Sequence, residues 1–253
     1  MIVGSGVVGH ATGEWLEANG YAVIYNDKKP GILDKLMQEG KSVSDTLDVQ
    51  NIDMFWICTP EWNVEDVIKC LPKLDDRQTV VIRSTMKLGS AKRLQDKYKI
   101  CLAHVPEFLK QSTSTADVFN PDRIIIGTDS LMVYLRLHNV FRTLHVPCIM
   151  VSPSASELIK LVSNAWLATQ ISFWNQIYDL SRKIELNPEE IANAVTLDKR
   201  ISAYGSNMTG KRFGGFCLPK DLNSIIEAFR EYGMSPGIFD AVKKINERTG
   251  GGK

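Results

Sequence analysis

No stretch of this chain is apolar for long enough to span a bilayer, so a membrane-crossing helix is not expected. Charge of one sign is also missing. Lys and Arg number 30 against 29 Asp and Glu, a formal net charge of +1, which gives no general attraction to nucleic acid or to an acidic membrane. Disulfide patterning is absent: Cys58, Cys70, Cys101, Cys148 and Cys217 are an odd number without paired spacing, which points to a reduced, cytoplasmic setting. The four histidines, His10, His104, His138 and His145, lack metal-ligand spacing, and no metal is expected. No secretory leader is read, because Met1 runs directly into a glycine-rich turn. Only three residues precede Gly4, so the first strand is either short or begins upstream. Between Ser154 and Leu186 there is neither glycine nor proline, and no internal repeat is visible.

What remains is ordinary globular material: 253 residues, 44% hydrophobic and 23% charged, enough for a sizeable core. Apolar runs at Met1 to Val3, Ala22 to Tyr25, Asp53 to Cys58, Thr79 to Ile82, Ile100 to Ala103, Arg123 to Gly127 and Val146 to Met150 read as strands. They are rich in Ile and Val without polar alternation, as in strands buried on both faces. Helical stretches at Gly9 to Asn19, Glu65 to Leu71, Gly89 to Tyr98 and Leu131 to Arg142 lie between them. The alternation predicts a doubly wound parallel sheet over residues 1–152. Residues 153–249 read as a second, all-helical domain, and 250–253 as a frayed tail. That domain opens on a long helix, with Ser154 as N-cap and Glu157 completing a capping box. Leu158, Leu161, Val162, Ala165, Trp166, Ala168 and Phe173 recur at helical spacing on more than one side, which suggests packing against a partner subunit. Helices at Pro188 to Val195, Pro219 to Tyr232 and Pro236 to Arg248 follow.

Gly4-Ser5-Gly6-Val7-Val8-Gly9 follows a strand and opens a helix, the pattern of a Rossmann-type dinucleotide turn. Gly4 permits the tight turn, Gly6 the approach of a pyrophosphate, and Gly9 close helix–strand packing. The helix N-terminus offers N–H groups to the phosphates. Asp27 ends the second strand eighteen residues after Gly9, where a carboxylate accepts from the adenosine ribose hydroxyls and repels a 2′-phosphate. NAD is therefore expected rather than NADP, although Lys28 and Lys29 adjoin Asp27.

In Phe213-Gly214-Gly215-Phe216-Cys217-Leu218-Pro219-Lys220-Asp221, Pro219 suits the first turn of a helix. Cys217 then sits just before a helix N-terminus, where the dipole and Lys220 both favour the thiolate. The other four cysteines, in strands or on helix faces, read as structural. A thiolate beside a nicotinamide has a specific use. It converts an aldehyde into a tetrahedral thiohemiacetal, which loses a second hydride to give a thioester and then hydrolyses to the acid.

These stretches resemble the nucleotide-sugar dehydrogenases, the family of UDP-glucose 6-dehydrogenases and GDP-mannose 6-dehydrogenases. The match runs in order through the turn at Gly4, Ser84-Thr85-Met86, Pro106-Glu107-Phe108-Leu109, Asn120-Pro121-Asp122-Arg123, Glu157 to Leu161 and on to Asn164, Asp198 to Ile201, and the Cys217 loop. The resemblance implies that Cys217 is the nucleophile and that Lys160 and Asn164 stabilise the oxyanion. It implies that Glu107 is the base of thioester hydrolysis and that Thr85 and Asp221 hold the water. By the same resemblance Ser5, Val7, Val8, Thr59, Pro60, Ser84, Thr85 and Lys220 join the glycines and Asp27 as cofactor contacts. Glu107, Phe108, Leu109, Lys110, Lys160, Asn164, Arg200, Phe213, Gly214 and Cys217 contact a nucleotide-sugar substrate. The long helix on its own, apart from the resemblance, leads to the expectation of a homodimer. The family's usual third domain has no counterpart in the stretches matched, Val105 and Leu218 depart from its pattern, and the loop Ser206 to Arg212 differs from its glycine-rich form.

Two other readings stay open. Lys160 and Asn164 also recur in two-electron β-hydroxyacid dehydrogenases, which need no Cys217. An inactive dinucleotide-binding or dimerisation module would need none of the chemistry.

Overall fold

Neighbouring residues along each central strand enter different cores. In the computed structural model, which describes residues 1–48, 50–109, 114–215 and 217–249, Ile2, Trp56, Val81 and Ala103 pack into one hydrophobic cluster. Val3, Phe55, Ile57, Val80, Ile82 and Leu102 pack into another. The pleat sends alternate side chains to opposite faces, so a strand covered on both sides has to be apolar at every position.

The chain divides into two compact units, Met1–Lys160 and Leu161–Lys253. Among the described residues of the first, strands β1 (Ile2–Val3), β2 (Tyr25–Asn26), β3 (Met54–Ile57), β4 (Thr79–Ile82), β5 (Leu102–His104), β6 (Ile124–Gly127) and β7 (Cys148–Val151) form one sheet in the order β2-β1-β3-β4-β5-β6-β7. Helices α1 (Val7–Ala18), α2 (Pro30–Gln38), α3 (Glu61–Cys70), α4 (Ser90–Tyr98), α5 (Ser114–Phe119) and α6 (Leu131–Phe141) connect them. Trp15 of α1 stacks on Phe141 at 5.3 Å between ring centroids, and Trp56 meets the same ring edge-on at 5.9 Å. Burying such a side chain contributes roughly 1.5–3 kcal/mol.

The sheet is not parallel throughout. β5 and β6 run antiparallel, meeting at His104 and Gly127. Their connection carries only α5, six residues or roughly 9 Å of helix. α6 is long enough for the crossover that keeps β7 parallel to β6. α2 and α5 are helices beyond the four stretches named from the sequence.

α7 (Pro153–Lys183) is a continuous helix of 31 residues, about 46 Å long. It starts one residue before the expected cap. Ser152 caps it, accepting from the Ala155 N–H at 3.3 Å, and Pro153 occupies the first helical position. Ser154 therefore lies inside the helix and the expected capping box does not form. Glu157 instead accepts from the backbone N–H groups of Gly89 (2.5 Å) and Ala91 (2.6 Å), capping α4. Ser156 bonds His104 Nδ1 at 2.7 Å. A Cβ on Gly127 would stand 2.0 Å from the Ser156 hydroxyl. Ser156, Glu157 and Lys160 thus pack with the first unit, which ends at Lys160.

The second unit holds the rest of α7, with α8 (Pro188–Val195), α9 (Cys217–Glu231) and α10 (Ile238–Arg248). Its core joins Leu161, Ala165, Ala168 and Ile171 of α7 to Phe213, Leu222, Ile225, Ile226 and Val242. The tail 250–253 lies outside the described residues.

Candidate active site

In the first unit the glycine turn takes the form its sequence dictates. Gly4 has φ +89°, and a Cβ there would stand 2.8 Å from Thr59; a Cβ on Gly9 would stand 2.0 Å from the Gly4 carbonyl. Around Gly6 no other group comes within 4 Å of where a Cβ would lie. α1 begins at Val7 with neither a capping side chain nor an acid in its first turn. Asp27 accepts from the Ser5 N–H (2.8 Å) and the Lys29 N–H (2.9 Å), tying the turn to the end of β2. A cleft of about 310 Å³ runs past Gly4, Gly6, Asp27, Ile32, Thr59 and Pro60. Bare helix N–H groups, open space at Gly6 and a carboxylate at the strand end fit a dinucleotide's phosphates and ribose. Lys28 and Lys29 are exposed. Ser84 donates to the Thr59 carbonyl at 2.5 Å, and half-buried Thr85 follows it. Ile32, Asn63 and Val67 also line this cleft. Sequence spacing gave no sign of them, because they come from α2 and α3.

Past the end of β5, the Lys160 ammonium donates to the Glu107 backbone carbonyl at 2.6 Å and lies 3.4 Å from its carboxylate. Both residues are buried. The other carboxylate oxygen of Glu107 accepts from the Leu109 N–H at 2.6 Å. Phe108 stands half-buried between them. Arg83, which no motif singled out, is buried at the end of β4 and donates to the Val105 carbonyl at 3.2 Å, holding the segment that leads to Glu107. Lys110, expected among the substrate contacts, lies outside the described residues.

His104 and Glu157 are buried close by. Burial pushes the His104 imidazole down to about 4, so it is neutral. Burial pushes the Glu157 carboxyl up to about 7, against the Ala91 and Gly89 N–H donors that favour its charged form. Burial also pushes the Cys58 thiol up to about 12, which keeps it protonated and inert. Of the cysteines other than Cys217, Cys70 is exposed, and Cys58, Cys101 and Cys148 are half-buried as residues.

In the second unit Asn164, one turn beyond Lys160 on α7, donates to Asp221 at 2.5 Å, with both side chains buried. Lys220 Nζ lies 2.6 Å from the other Asp221 oxygen, an ion pair without hydrogen-bond alignment. Cys217 is exposed and is the first residue of α9, inside the helical turn rather than before it, with Pro219 in that same turn. Asp221 lies one turn further on. Two asparagines without any sequence signature fix the approach to Cys217. Asn246 of α10 accepts from the Phe213 N–H (2.8 Å) and donates to its carbonyl (3.1 Å), and Asn175 of α7 donates to the Lys211 carbonyl (2.8 Å). Gly214 lies exposed beyond Phe213, and Phe216 falls outside the described residues. Arg200 is exposed and bonded through its guanidinium to Asp198.

The sheet, the glycine turn and the acidic strand end define a dinucleotide-binding protein of dehydrogenase type. Residues 154–248 match the central domain of the UDP-glucose/GDP-mannose dehydrogenase family, and residues 62–145 match that family's NAD binding domain. The chain belongs to the UDP-glucose/GDP-mannose dehydrogenase family. It is 34% identical over 195 residues to a UDP-glucose 6-dehydrogenase of Streptococcus pneumoniae, covering 73% of this chain and 49% of that protein. It is 30% identical over 190 residues to one of Campylobacter jejuni, covering 73% and 47%. The chain thus spans about half the length of these relatives. Its fold is that of a UDP-glucose dehydrogenase from Pyrobaculum islandicum (TM-score 0.85, 24% identity, 97% of this chain and 67% of that one). It is also that of the Mycobacterium tuberculosis 3-hydroxyisobutyrate dehydrogenase (TM-score 0.81, 16% identity, 98% and 91%). Among the described residues no helix is long and apolar enough to cross a membrane, and no cluster of His, Cys, Asp and Glu could hold a metal ion.

Proposed function

We propose that this chain oxidises a nucleotide sugar of the UDP-glucose kind at C6 to the uronic acid. Residues 1–152 would bind NAD, and residues 153–249 would carry Lys160, Asn164 and Cys217 and form a dimer. The observation that carries the reading is two buried polar couples, Lys160 with Glu107 and Asn164 with Asp221. Buried charge at that density is costly to maintain without a use.

Two NAD molecules, bound in succession, would each accept one hydride, first from alcohol to aldehyde and then from thiohemiacetal to thioester, while the hydroxyl proton of each step leaves to solvent through water. The chain's own groups do the rest. Cys217 adds as thiolate to the aldehyde carbon, and Lys160 and Asn164 donate to the oxygen as it gains charge. Glu107 takes a proton from the water that adds to the thioester, and Cys217 departs as thiolate. Thr85 and Asp221 hold that water, and Ser5, Val7, Val8, Ser84, Thr85 and Lys220 line the cofactor's path. Phe108, Leu109, Lys110, Arg200, Phe213 and Gly214 contact the nucleotide sugar. A chemistry that needs a reduced thiol suits the cytoplasm.

The dimer rests on an exposed stripe along α7. Leu158, Val162, Trp166, Phe173 and Leu180 recur at helical spacing and are each 41–59% exposed. Multi-angle light scattering is expected to give twice the chain mass, and Trp166→Glu to give the monomer.

The test of function is a screen of UDP- and GDP-sugars with NAD, reading NADH and uronate. Turnover of at least one nucleotide sugar supports the proposal; turnover of none removes it. The likeness to the 3-hydroxyisobutyrate dehydrogenase makes a two-electron reaction the rival. Cys217→Ser with full activity and one NADH per turnover would favour that rival.

A further inference from the structure

The stretch Asn120-Pro121-Asp122-Arg123 takes no part in the chemistry above. Arg123 immediately precedes β6, whose first residue is anchored by the Ile124 N–H donating to the Pro147 carbonyl at 2.9 Å. Its guanidinium carbon lies 4.5 Å from the centroid of the Phe108 ring. Lys160 Nζ lies 5.3 Å from the same centroid. The three side chains form a chain of contacts ending at the 2.6 Å bond from Lys160 to the Glu107 carbonyl. A guanidinium is planar and weakly hydrated, so it stacks well on an aromatic face. The ring then attracts both cations. Arg83 holds the same segment from the other side at Val105, and both arginines line one cavity of about 290 Å³ with Glu107 and Phe108. Residues 105–109 are thus gripped at Val105 by one arginine and at Phe108 by another.

We propose that Arg123 is a positioning residue: its guanidinium stacks on Phe108 and, through that ring, holds the Lys160 ammonium against the Glu107 carbonyl. Its role in turnover rests on the oxidation proposed above; the positioning does not. Arg123 is half-buried, so replacing it leaves the core intact.

The experiment uses the full chain and three proteins: wild type, Arg123→Met, which keeps a stem and removes the guanidinium, and Arg123→Lys, which keeps a cation. Reductive methylation of Lys160, followed by peptide mass spectrometry, reads whether its ammonium is held. Steady-state kinetics on the nucleotide sugar found active read its use. Loss of a stacked cation corresponds to about a threefold to tenfold effect. Arg123→Met should raise the Lys160 methylation rate by about that factor and lower kcat similarly, leaving KM within about twofold. Arg123→Lys should recover part of both. Unchanged Lys160 methylation in Arg123→Met overturns the proposal, as does an active wild type whose kcat the substitution does not lower. If methylation rises but the wild type oxidises no nucleotide sugar, the positioning stands and the oxidation reading fails.

Discussion

Lys160 reaches across 53 residues of sequence to bond the backbone of Glu107, with its ammonium 2.6 Å from the carbonyl and 3.4 Å from the carboxylate of the same residue. A lysine held this way presents a fixed cation that no side-chain reorganisation has to recruit during a reaction. Lys160→Met is expected to lower kcat by a factor on the order of 10²–10³, the range for losing one preorganised oxyanion donor. Progress curves of NADH formation check it, and a fall below tenfold would leave Lys160 a structural residue.

Glu157 and His104 oppose each other in pH dependence. The Glu157 carboxyl is raised to about 7, so the native state binds more protons than the unfolded one, and stability falls as pH rises from about 4.5 to 7. The His104 imidazole is lowered to about 4, so the unfolded state binds more protons, and stability rises from about pH 4 to 6.5. Each contribution is on the order of 3 kcal/mol, and in the wild type they largely cancel. Glu157→Gln is expected to leave stability rising between pH 4 and 6.5, and His104→Gln to leave it falling between pH 4.5 and 7. Urea unfolding at four pH values across these windows checks both; slopes of the same sign in the two variants would refute the linkage.

The nucleotide turn separates folding from binding. Gly9→Ala would drive a methyl to 2.0 Å from the Gly4 carbonyl and is expected to destabilise the first unit by several kcal/mol. Gly6→Ala meets no other group of the protein within 4 Å, so thermal unfolding should be unchanged while NAD affinity falls about tenfold or more. Differential scanning calorimetry with NAD titration distinguishes the two. Equal losses of stability would contradict this division.

The central strands were legible because burial on both faces leaves runs of Ile and Val that little else produces, whereas β7, at the sheet edge, is partly exposed. The glycine turn and Asp27 were legible because backbone geometry restricts the residues that can stand there. What was missed depends on contacts made at a distance. Ser154 and Glu157 have the spacing of a capping box, but Glu157 serves Gly89 and Ala91, 66 or more residues away, and Ser152 caps the helix instead. Asn175 and Asn246 clamp the approach to Cys217, and Arg83 clamps that to Glu107, from positions with no local signature. α5, six residues long, is too short to show a period.

The central claim is that Cys217 carries the substrate covalently between the two oxidations. Rapid-quench mass spectrometry of the Cys217 peptide, taken while NAD and the active nucleotide sugar turn over, tests it most directly. The expected result is a sugar-nucleotide adduct on Cys217, with two NADH per uronate and neither adduct nor uronate in Cys217→Ser. Uronate formed at wild-type rate by Cys217→Ser, or by a wild type whose Cys217 stays unmodified throughout, would contradict it.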